Sequence, residues 1–356
     1  MPFLPLYANS MGATGIGLGV IFAGFSVSRA IFMPVIGRLS DRRGRKLFIC
    51  LGLLIYAIIS LGYIWANSVL QLIMVRLIQG AAAGMIMPIA QAYIGDISPE
   101  GEEGKWMGYF HTAFFAGFGI GPLMGGILVD RFGMTGAFYS MGSLNLIAFL
   151  VAALFLPEIS HQKAAARSHS SFRKIISSGM VKGLSTFRLV FSLGMGAFAC
   201  FMPIFATMHI GLSPTLIGIP LTVNMLLMSV FQPYAGKIAD RFNRRALVVI
   251  GSLISITFLA LIPVTLNFWQ LLGICAFGGL GGAISMPAAS ALLVEEGRRF
   301  GMGSTTAIFM MAMSIGIAVG SLLGGVMADF VNINSVFYCA AGVGLIGTGL
   351  FIWFSR

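Results

Sequence analysis

Long apolar runs separated by short polar segments make up most of this chain. A membrane-spanning helix needs about 20 mainly apolar residues, and eleven segments reach that length: 14–36, 46–66, 68–94, 106–129, 133–156, 186–208, 213–236, 246–267, 269–293, 302–327 and 333–354. Transmembrane barrel strands would instead alternate over ~10 residues, and no segment does so. The pattern predicts an all-α polytopic membrane protein with about eleven full transmembrane helices.

Composition excludes a soluble protein. Hydrophobic residues make up 58% of the chain and charged residues only 9%, whereas soluble domains are about 25% charged. The net charge of +11 would suggest a nucleic-acid partner in a soluble protein. Here the basic residues lie in short segments between apolar runs, so we expect a lipid bilayer as the partner and no nucleic acid.

The distribution of Lys and Arg predicts the orientation. With the loop at 37–46 placed inside the cell, the cytoplasmic segments hold all the basic residues, Arg188 among them, except Arg131, Arg29 and Arg76. Arg131 falls in an outer loop, and the other two lie inside helices. This bias predicts a multi-pass protein of the plasma or inner membrane with a cytoplasmic C-terminus.

A constant offset of 199 residues relates the two parts of the chain. It pairs Gly37 with Gly236, Gly80 with Gly279, Pro88 with Pro287, Gly117, Gly121, Gly125 and Gly126 with Gly316, Gly320, Gly324 and Gly325, and Asp130 with Asp329. Such periodicity indicates an internal duplication. It predicts an N-terminal helical bundle at 1–156, a cytoplasmic linker at 157–185 and a C-terminal helical bundle at 186–356.

The duplication also predicts a defect in the first copy. The second copy begins with a full helix at 186–208, whose counterpart at 1–7 provides only a turn or two. We therefore expect a truncated sequence whose first helix is largely missing, and two pseudo-symmetric six-helix bundles in the intact protein.

Three segments carry recognisable motifs. Residues 37–46 read GRLSDRRGRK, with a weaker copy, GKIADRFNRR, at 236–245. Residues 76–84 read RLIQGAAAG, and residues 108–126 read GYFHTAFFAGFGIGPLMGG, which fits G-x8-G-x3-GP-x2-GG. These segments resemble motifs A, B and C of the major facilitator superfamily of transporters, and the resemblance covers the whole chain apart from the first helix.

The resemblance implies that motif A gates the cytoplasmic side. Gly37 would let two helices approach closely, Asp41 would face the positive end of a neighbouring helix, and Arg45 would pair with Asp96. The gating residues predicted on this basis are Gly37, Asp41, Arg42, Gly44, Arg45, Asp96, Gly236, Asp240 and Arg241. The alternative is that these charges only set topology.

Three basic side chains are candidates for proton coupling: Arg76, Arg29 and His111. An arginine inside an apolar helix costs on the order of 2.5–3.5 kcal/mol on insertion, so Arg76 should face a polar cavity or a partner. The alternatives are a structural hydrogen bond from Arg76 to backbone carbonyls, a snorkelling Arg29 and a core histidine at His111.

Motif C comprises Gly108, Gly117, Gly121, Pro122, Gly125 and Gly126. The superfamily carries it chiefly in exporters that exchange substrate for protons. Its small residues would form a flat packing face, and Pro122 would bend the helix into a hinge. Ordinary small-residue packing is the alternative.

Few other residues are candidates for a functional site. Gln79, Gln91 and Asn224 are candidates to line a substrate cavity. All acidic residues lie at or near helix ends, so no carboxylate is placed to carry a proton mid-membrane. Neither a P-loop, an HExxH pattern nor CxxC spacing occurs. We therefore expect no enzyme, no metal and no cofactor, with a proton gradient as the energy source.

These features together resemble the drug/proton antiporter, or multidrug efflux, branch of the superfamily. They predict a monomeric secondary transporter that exports small amphipathic molecules by alternating access between its two bundles. Two alternatives stay open: an importer of sugars or organic acids, and a truncated remnant that does not transport.

Overall fold

The computed structural model describes residues 2–99, 103–158, 178–300 and 302–355. Within these ranges the chain folds into α-helices without strands: α1 Leu4–Ser10, α2 Gly15–Arg43, α3 Arg45–Trp65, α4 Val69–Ile97, α5 Glu103–Phe155, α6 Gly179–Phe205, α7 Pro214–Arg241, α8 Arg244–Leu261, α9 Phe268–Phe300, α10 Met302–Phe330 and α11 Ile333–Phe354. Short π and 3-10 segments extend α6 and α8. The predicted all-α fold is confirmed.

Helix α5 contains two membrane crossings. Ten of the described helices are long and apolar enough to span a membrane, and the span in α5 covers 40 residues, Ala116–Phe155. At about 1.5 Å per residue this is about 60 Å, twice the ~30 Å hydrocarbon thickness of a bilayer. Gly133 interrupts α5 with a φ of 69°, a conformation open mainly to glycine. The break separates the two predicted helices 106–129 and 133–156.

The observed helices run further than the apolar segments. Helices α2 and α7 continue into the charged residues at Arg43 and Arg241. Helix α6 begins at Gly179, with the Ser178 hydroxyl accepting a hydrogen bond from the Val181 N–H. The predicted linker boundary at 185 is therefore wrong, because residues 179–185 form the first turns of α6. A hydropathy window detects apolar length and does not detect a serine cap.

The two halves repeat the same packing. In the first half, α2 packs on α4, and α3 packs on α4 and on the second part of α5. In the second half, α7 packs on α9, and α8 packs on α9 and α11. Helix α6 packs on α10 and α11 and is buried along most of its length. The halves meet where α2 packs on α10 and where the first part of α5 packs on α7.

Two ends of the molecule are distinguished by their charges. The basic end holds the loops 37–46 and 236–245, the start of α6 and the end of α11, where a Cβ added at Gly179 would lie 2.7 Å from the Phe354 carbonyl oxygen. The cap end, at the opposite end of α2, holds Asp130, Asp329 and the first residues of α2 and α7.

Candidate functional site

At the cap end, Asp329 of the second half binds the start of a helix of the first half. Its carboxylate accepts hydrogen bonds from the backbone N–H groups of Gly15, at 2.6 Å, and Ile16, at 2.8 Å. Thr14, the N-cap of α2, accepts from Gly17. The first N–H groups of a helix lack intrahelical partners and favour negative charge, so Asp329 completes the cap of α2.

Asp130 of the first half makes the reciprocal contact. Its carboxylate accepts a 2.8 Å hydrogen bond from the Thr215 N–H at the start of α7. Pro214, the first residue of α7, has no N–H to donate. Adding 199 to Asp130 gives Asp329, and adding 199 to Ile16 gives Thr215. Each half therefore caps a helix of the other half through equivalent residues.

The offset of 199 residues makes Asp130 and Asp329 equivalent, but no motif in the sequence gives either of them a role. A usable signal was present, since each equivalent acid ends a helix whose partner helix begins with a Thr or Ser cap. The partner helix lies about 85 residues or more away along the chain, so local spacing did not reveal it.

Glycines allow the halves to touch backbone to backbone near the cap end. A Cβ added at Gly126 would lie 2.5 Å from the Pro214 carbonyl oxygen, and one at Gly218 would lie 2.6 Å from that of Pro122. Across the other interface, a Cβ at Gly19 would lie 2.6 Å from the Ser321 carbonyl oxygen. Such contacts exclude any larger residue.

The remaining motif C glycines have few neighbours among the described residues, and the packing face expected there stays a prediction. No described atom lies within 4 Å of a Cβ added at Gly117 or Gly121, and Gly125 faces the ring of Phe3 at 3.3 Å. Residues four apart share one helix face, and this face points away from α7, whereas Gly126 lies on the α7 face.

Pro122 and Gly108 also belong to motif C. Pro122 keeps helical dihedral angles, so the backbone break of α5 lies at Gly133 instead. The surroundings of Gly108 lie outside what the structure describes.

At the basic end, Arg45 and Asp96 form the predicted ion pair. The Arg45 Nε lies 2.5 Å from one Asp96 oxygen, and its Nη2 lies 3.3 Å from the other. The same offset of 199 relates them to Arg244 and Glu295, which also pair and which the sequence analysis did not identify. These pairs join α3 to α4 and α8 to α9, so each lies within one half. The gating role of Arg45 and Asp96 stays a prediction.

The glycines of motif A have different environments. No described atom lies within 4 Å of a Cβ added at Gly37, so the described residues show no close helix approach there. The close approach of α2 to α4 occurs instead at Gly80, which packs against the Phe25 carbonyl. Gly44 has a φ of 101° and lets the chain turn between α2 and α3.

The repeat of motif A makes the corresponding turn, between α7 and α8, with a different residue. Asn243 replaces the glycine and caps α8 by accepting from the N–H groups of Arg245 and Ala246. Arg42 and Arg241 are exposed in the last turns of α2 and α7, where a cation is favourable. The side chains of Asp41 and Asp240 lie outside what the structure describes, and a Cβ at Gly236 would only touch Pro287, at 4.0 Å.

Arg76 is buried in α4 within a defined cluster. Its Nη1 donates a 2.8 Å hydrogen bond to the Gln79 Oε1, which also accepts 2.6 Å from the Tyr63 hydroxyl. The guanidinium lies 5.0 Å and 5.3 Å from the ring centroids of Phe22 and Phe25 on α2, and its Nε has no partner among the described residues. Gln79 is thus a buried partner of Arg76 rather than a cavity-lining residue.

Arg29 crosses between the halves instead of snorkelling to an end. Its Nη2 donates a 3.4 Å hydrogen bond to the Ser314 hydroxyl of α10.

The other candidates have separate surroundings. Asn224 is buried and donates a 2.7 Å hydrogen bond to the Cys275 carbonyl within the second half, so it holds α7 to α9. Gln91 is partly exposed on α4, and the side chain of His111 lies outside what the structure describes.

Arg188 is a buried residue that the sequence analysis assigned to a cytoplasmic segment. The structure places it inside α6 with only 8% of its surface exposed. Its terminal nitrogens lie 3.2 Å from the Met286 sulfur and 2.6 Å from the Met313 sulfur, and the guanidinium lies 5.1 Å from the Phe309 ring centroid. The early start of α6 explains the error, because it adds helical turns before Arg188.

No set of three His, Cys, Asp or Glu side chains that could hold a metal ion occurs within the described ranges. The chemistry of the interface between the halves is therefore that of carboxylate caps, close glycine contacts and buried arginines.

Curated proteins of similar sequence are transporters. An uncharacterized MFS-type transporter of Methanocaldococcus jannaschii is 28% identical over 351 residues, which are 96% of this chain and 89% of that protein. The quinolone resistance protein NorA of Staphylococcus aureus is 29% identical over 352 residues, which are 98% of this chain and 89% of that protein.

Solved structures show the same fold. A bacterial homologue of the human lysosomal transporter Spinster, solved in an inward-facing and unoccupied conformation, has a TM-score of 0.87 at 14% identity and covers all of this chain and 92% of its own. The nucleoside transporter NupG has a TM-score of 0.82 at 17% identity and covers all of this chain and 95% of its own.

A family match agrees with these relatives, which are transporters rather than enzymes. The model of the Major Facilitator Superfamily matches residues 1–200 and again residues 184–356. This chain, a multi-pass integral membrane transporter, therefore belongs to the Major Facilitator Superfamily.

Proposed function

We propose that this chain is a secondary transporter of the plasma or inner membrane that exports small amphipathic molecules in exchange for protons. Two features support the direction of transport and the substrate class. The complete motif C pattern lies in α5, and Gly126 and Pro122 of this motif contact α7 of the other half. A protein named for quinolone resistance is similar over 98% of the chain.

The reciprocal caps are the observation that carries the mechanism. Asp130 and Asp329 each hold the start of a helix of the opposite half, so the cap end opens only when both contacts break. The ion pairs Arg45–Asp96 and Arg244–Glu295 at the basic end lie within single halves and leave the halves free to move there. Such an arrangement suits two rigid bundles that rock against each other.

Orientation follows from the basic loops. The positive-inside rule favours a cytoplasmic basic end, and the contact between Gly179 and Phe354 supports the same side for the end of α11. The cap end then faces outward, and the structure corresponds to a state closed to the outside.

The negative charge of the caps would hold this end closed, because a carboxylate interacts favourably with a helix N-terminus. Removing the carboxylate at Asp130 or Asp329 would therefore weaken the closed cap end and favour opening. Arg76, buried among aromatic rings beside α2, would respond to the rearrangement of that helix.

Proton-driven exchange in proteoliposomes tests this proposal. Two amphipathic probes of opposite charge, ethidium and 2-naphthoate, are tested in turn, and a pH-sensitive dye reports proton movement in the opposite direction. We expect coupled fluxes of at least one probe in the wild type, at least tenfold slower coupled fluxes in Arg76→Gln, and wild-type fluxes in Lys182→Gln, which removes an exposed cation from α6.

Two results would count against the proposal. Probe movement that ignores the imposed pH gradient would exclude proton exchange, and net uptake under an inward proton gradient would favour the importer. Thermal unfolding of Arg76→Gln in detergent shows whether a slow variant is still folded.

A further inference from the structure

We propose that the transported molecule carries an anionic group, a carboxylate or a phosphate, which binds between Arg29 and Arg188. This inference rests on the proposed transport function and names the substrate class of the same protein. The site would lie at the interface of the halves, well inside the membrane-spanning part.

One turn of α10 brings the two arginines together. Arg188 of α6 reaches the Met313 sulfur, and Arg29 of α2 reaches the hydroxyl of the next residue, Ser314. Arg188 lies nine residues beyond the start of α6, or about 14 Å along the helix. A substrate held between the two arginines would contact both halves.

The hydrogen-bonding capacity of Arg188 is poorly used. A guanidinium has five N–H donors, yet the acceptors of Arg188 among the described residues are two thioether sulfurs, and thioethers are weak acceptors. Its Nε has no partner there, nor does the buried hydroxyl of Ser192, one helical turn further along α6. A buried cation without a good acceptor is strongly unfavourable, which a bound anion would correct.

The carboxylates of this sequence lie at or near helix ends, as in the caps Asp130 and Asp329 and the pair partners Asp96 and Glu295. Arg29, Arg76 and Arg188 instead lie about two turns or more inside their helices. A bound anion would supply a neutralising charge at this site, and guanidinium groups bind carboxylate and phosphate oxygens particularly well.

Apolar side chains around the arginines suit the rest of an amphipathic molecule. Arg188 lies between Met286 and Met313 and over the ring of Phe309. Arg29 lies 5.6 Å from the ring centroid of Phe25. Methionine adapts to irregular shapes, so one anion site could accept various apolar groups.

Three naphthalene probes of different charge test the inference on the purified full chain in detergent. They are 2-naphthoate, 2-naphthyl phosphate and 2-naphthylmethylammonium, and the readout is the thermal unfolding midpoint as a function of probe concentration. We expect the anions to raise the midpoint and the cation to leave it unchanged. Comparing naphthoate with naphthyl phosphate identifies the preferred anion.

Substitutions of the two arginines test whether the anionic probes bind between them. Arg188→Gln and Arg29→Gln should weaken the response to the anions at least tenfold, whereas the matched control Lys182→Gln should retain it. Without probe, Arg188→Gln should unfold at the same temperature as the wild type or higher, because it removes a poorly paired buried charge. A merely structural arginine would lower the midpoint when replaced.

Two outcomes would overturn the inference: equal stabilisation by the cation and the anions, or an unchanged anion response in Arg188→Gln and Arg29→Gln. Proton-linked ethidium exchange without anion binding would refute the anion site and leave the proposed function intact. Anion binding without movement of ethidium or naphthoate in proteoliposomes would refute the proposed transport and leave the site intact.

Discussion

Helices α5 and α10 carry the same glycines 199 residues apart, yet their surroundings differ. In α10, Gly316 and Gly320 pack against the carbonyl oxygens of Leu189 and Leu193 on α6. In α5, the equivalent Gly117 and Gly121 have no described atom within 4 Å of an added Cβ. Subtracting 199 from Leu189 and Leu193 gives positions before residue 1 of this sequence, so the surroundings of the two glycine stripes differ in the residues that are present to pack on them.

Helices α5 and α10 make equivalent contacts with the opposite half of the molecule. Gly126 of α5 packs on Pro214, and Gly325 of α10 packs on Gly15. Asp130 and Asp329, one turn further along, cap the same two partner helices. Because the interface repeats the same contacts through equivalent residues, we infer that this symmetric interface is the working part of the molecule.

The largest expected effect comes from an alanine at Gly320. Its Cβ would clash with the Leu193 carbonyl, and backbone atoms cannot move aside, so we expect a loss of about 1–3 kcal/mol, the usual range for overpacking. Gly121→Ala is the matched variant in α5, and it should be neutral or stabilising by up to about 1 kcal/mol, since alanine favours a helix. Thermal unfolding in detergent measures both, and equal losses would show that the two stripes are packed alike.

Alanine at either cap should have a smaller effect on stability but a clear effect on conformation. Loss of a capping carboxylate costs about 1 kcal/mol, which shifts an open–closed equilibrium about fivefold. The readout is labelling of a cysteine at Thr222, buried in the α5–α7 interface, by an impermeant maleimide in a background without native cysteines. Asp130→Ala and Asp329→Ala should each accelerate labelling about fivefold. Faster labelling in only one of the two variants would show that the two caps do not contribute equally to closure of the cap end.

The ion pairs of the basic end should give the smallest effect. Arg45 and Asp96 are partly exposed, and such pairs contribute about 0.2–1 kcal/mol. A double-mutant cycle of Arg45→Ala and Asp96→Ala isolates their coupling from the other contacts of each residue. The cycle for Arg244 and Glu295 should give a coupling energy of similar size. A coupling of several kcal/mol in only one half would show that its pair has a separate role.

Sequence patterns predicted the elements better than their contacts. Apolar length located the spans, and the offset of 199 identified equivalent positions such as Asp130 and Asp329. Neither signal shows which helix a side chain meets, and the partners Thr215 and Gly15 are distant in sequence. The pair Arg45–Asp96 was predictable because motif A suggested it, whereas Arg188 was missed because its helix begins seven residues before the apolar run.

The most direct test of alternating access is a pair of distances measured between spin labels. One pair, at Phe132 and Leu266, joins exposed positions of the two halves at the cap end, and the other, at Leu47 and Phe242, joins exposed positions at the basic end. Replacing both caps by alanine should lengthen the first distance and shorten the second. Distances that stay constant, or that change in the same direction, would contradict alternating access.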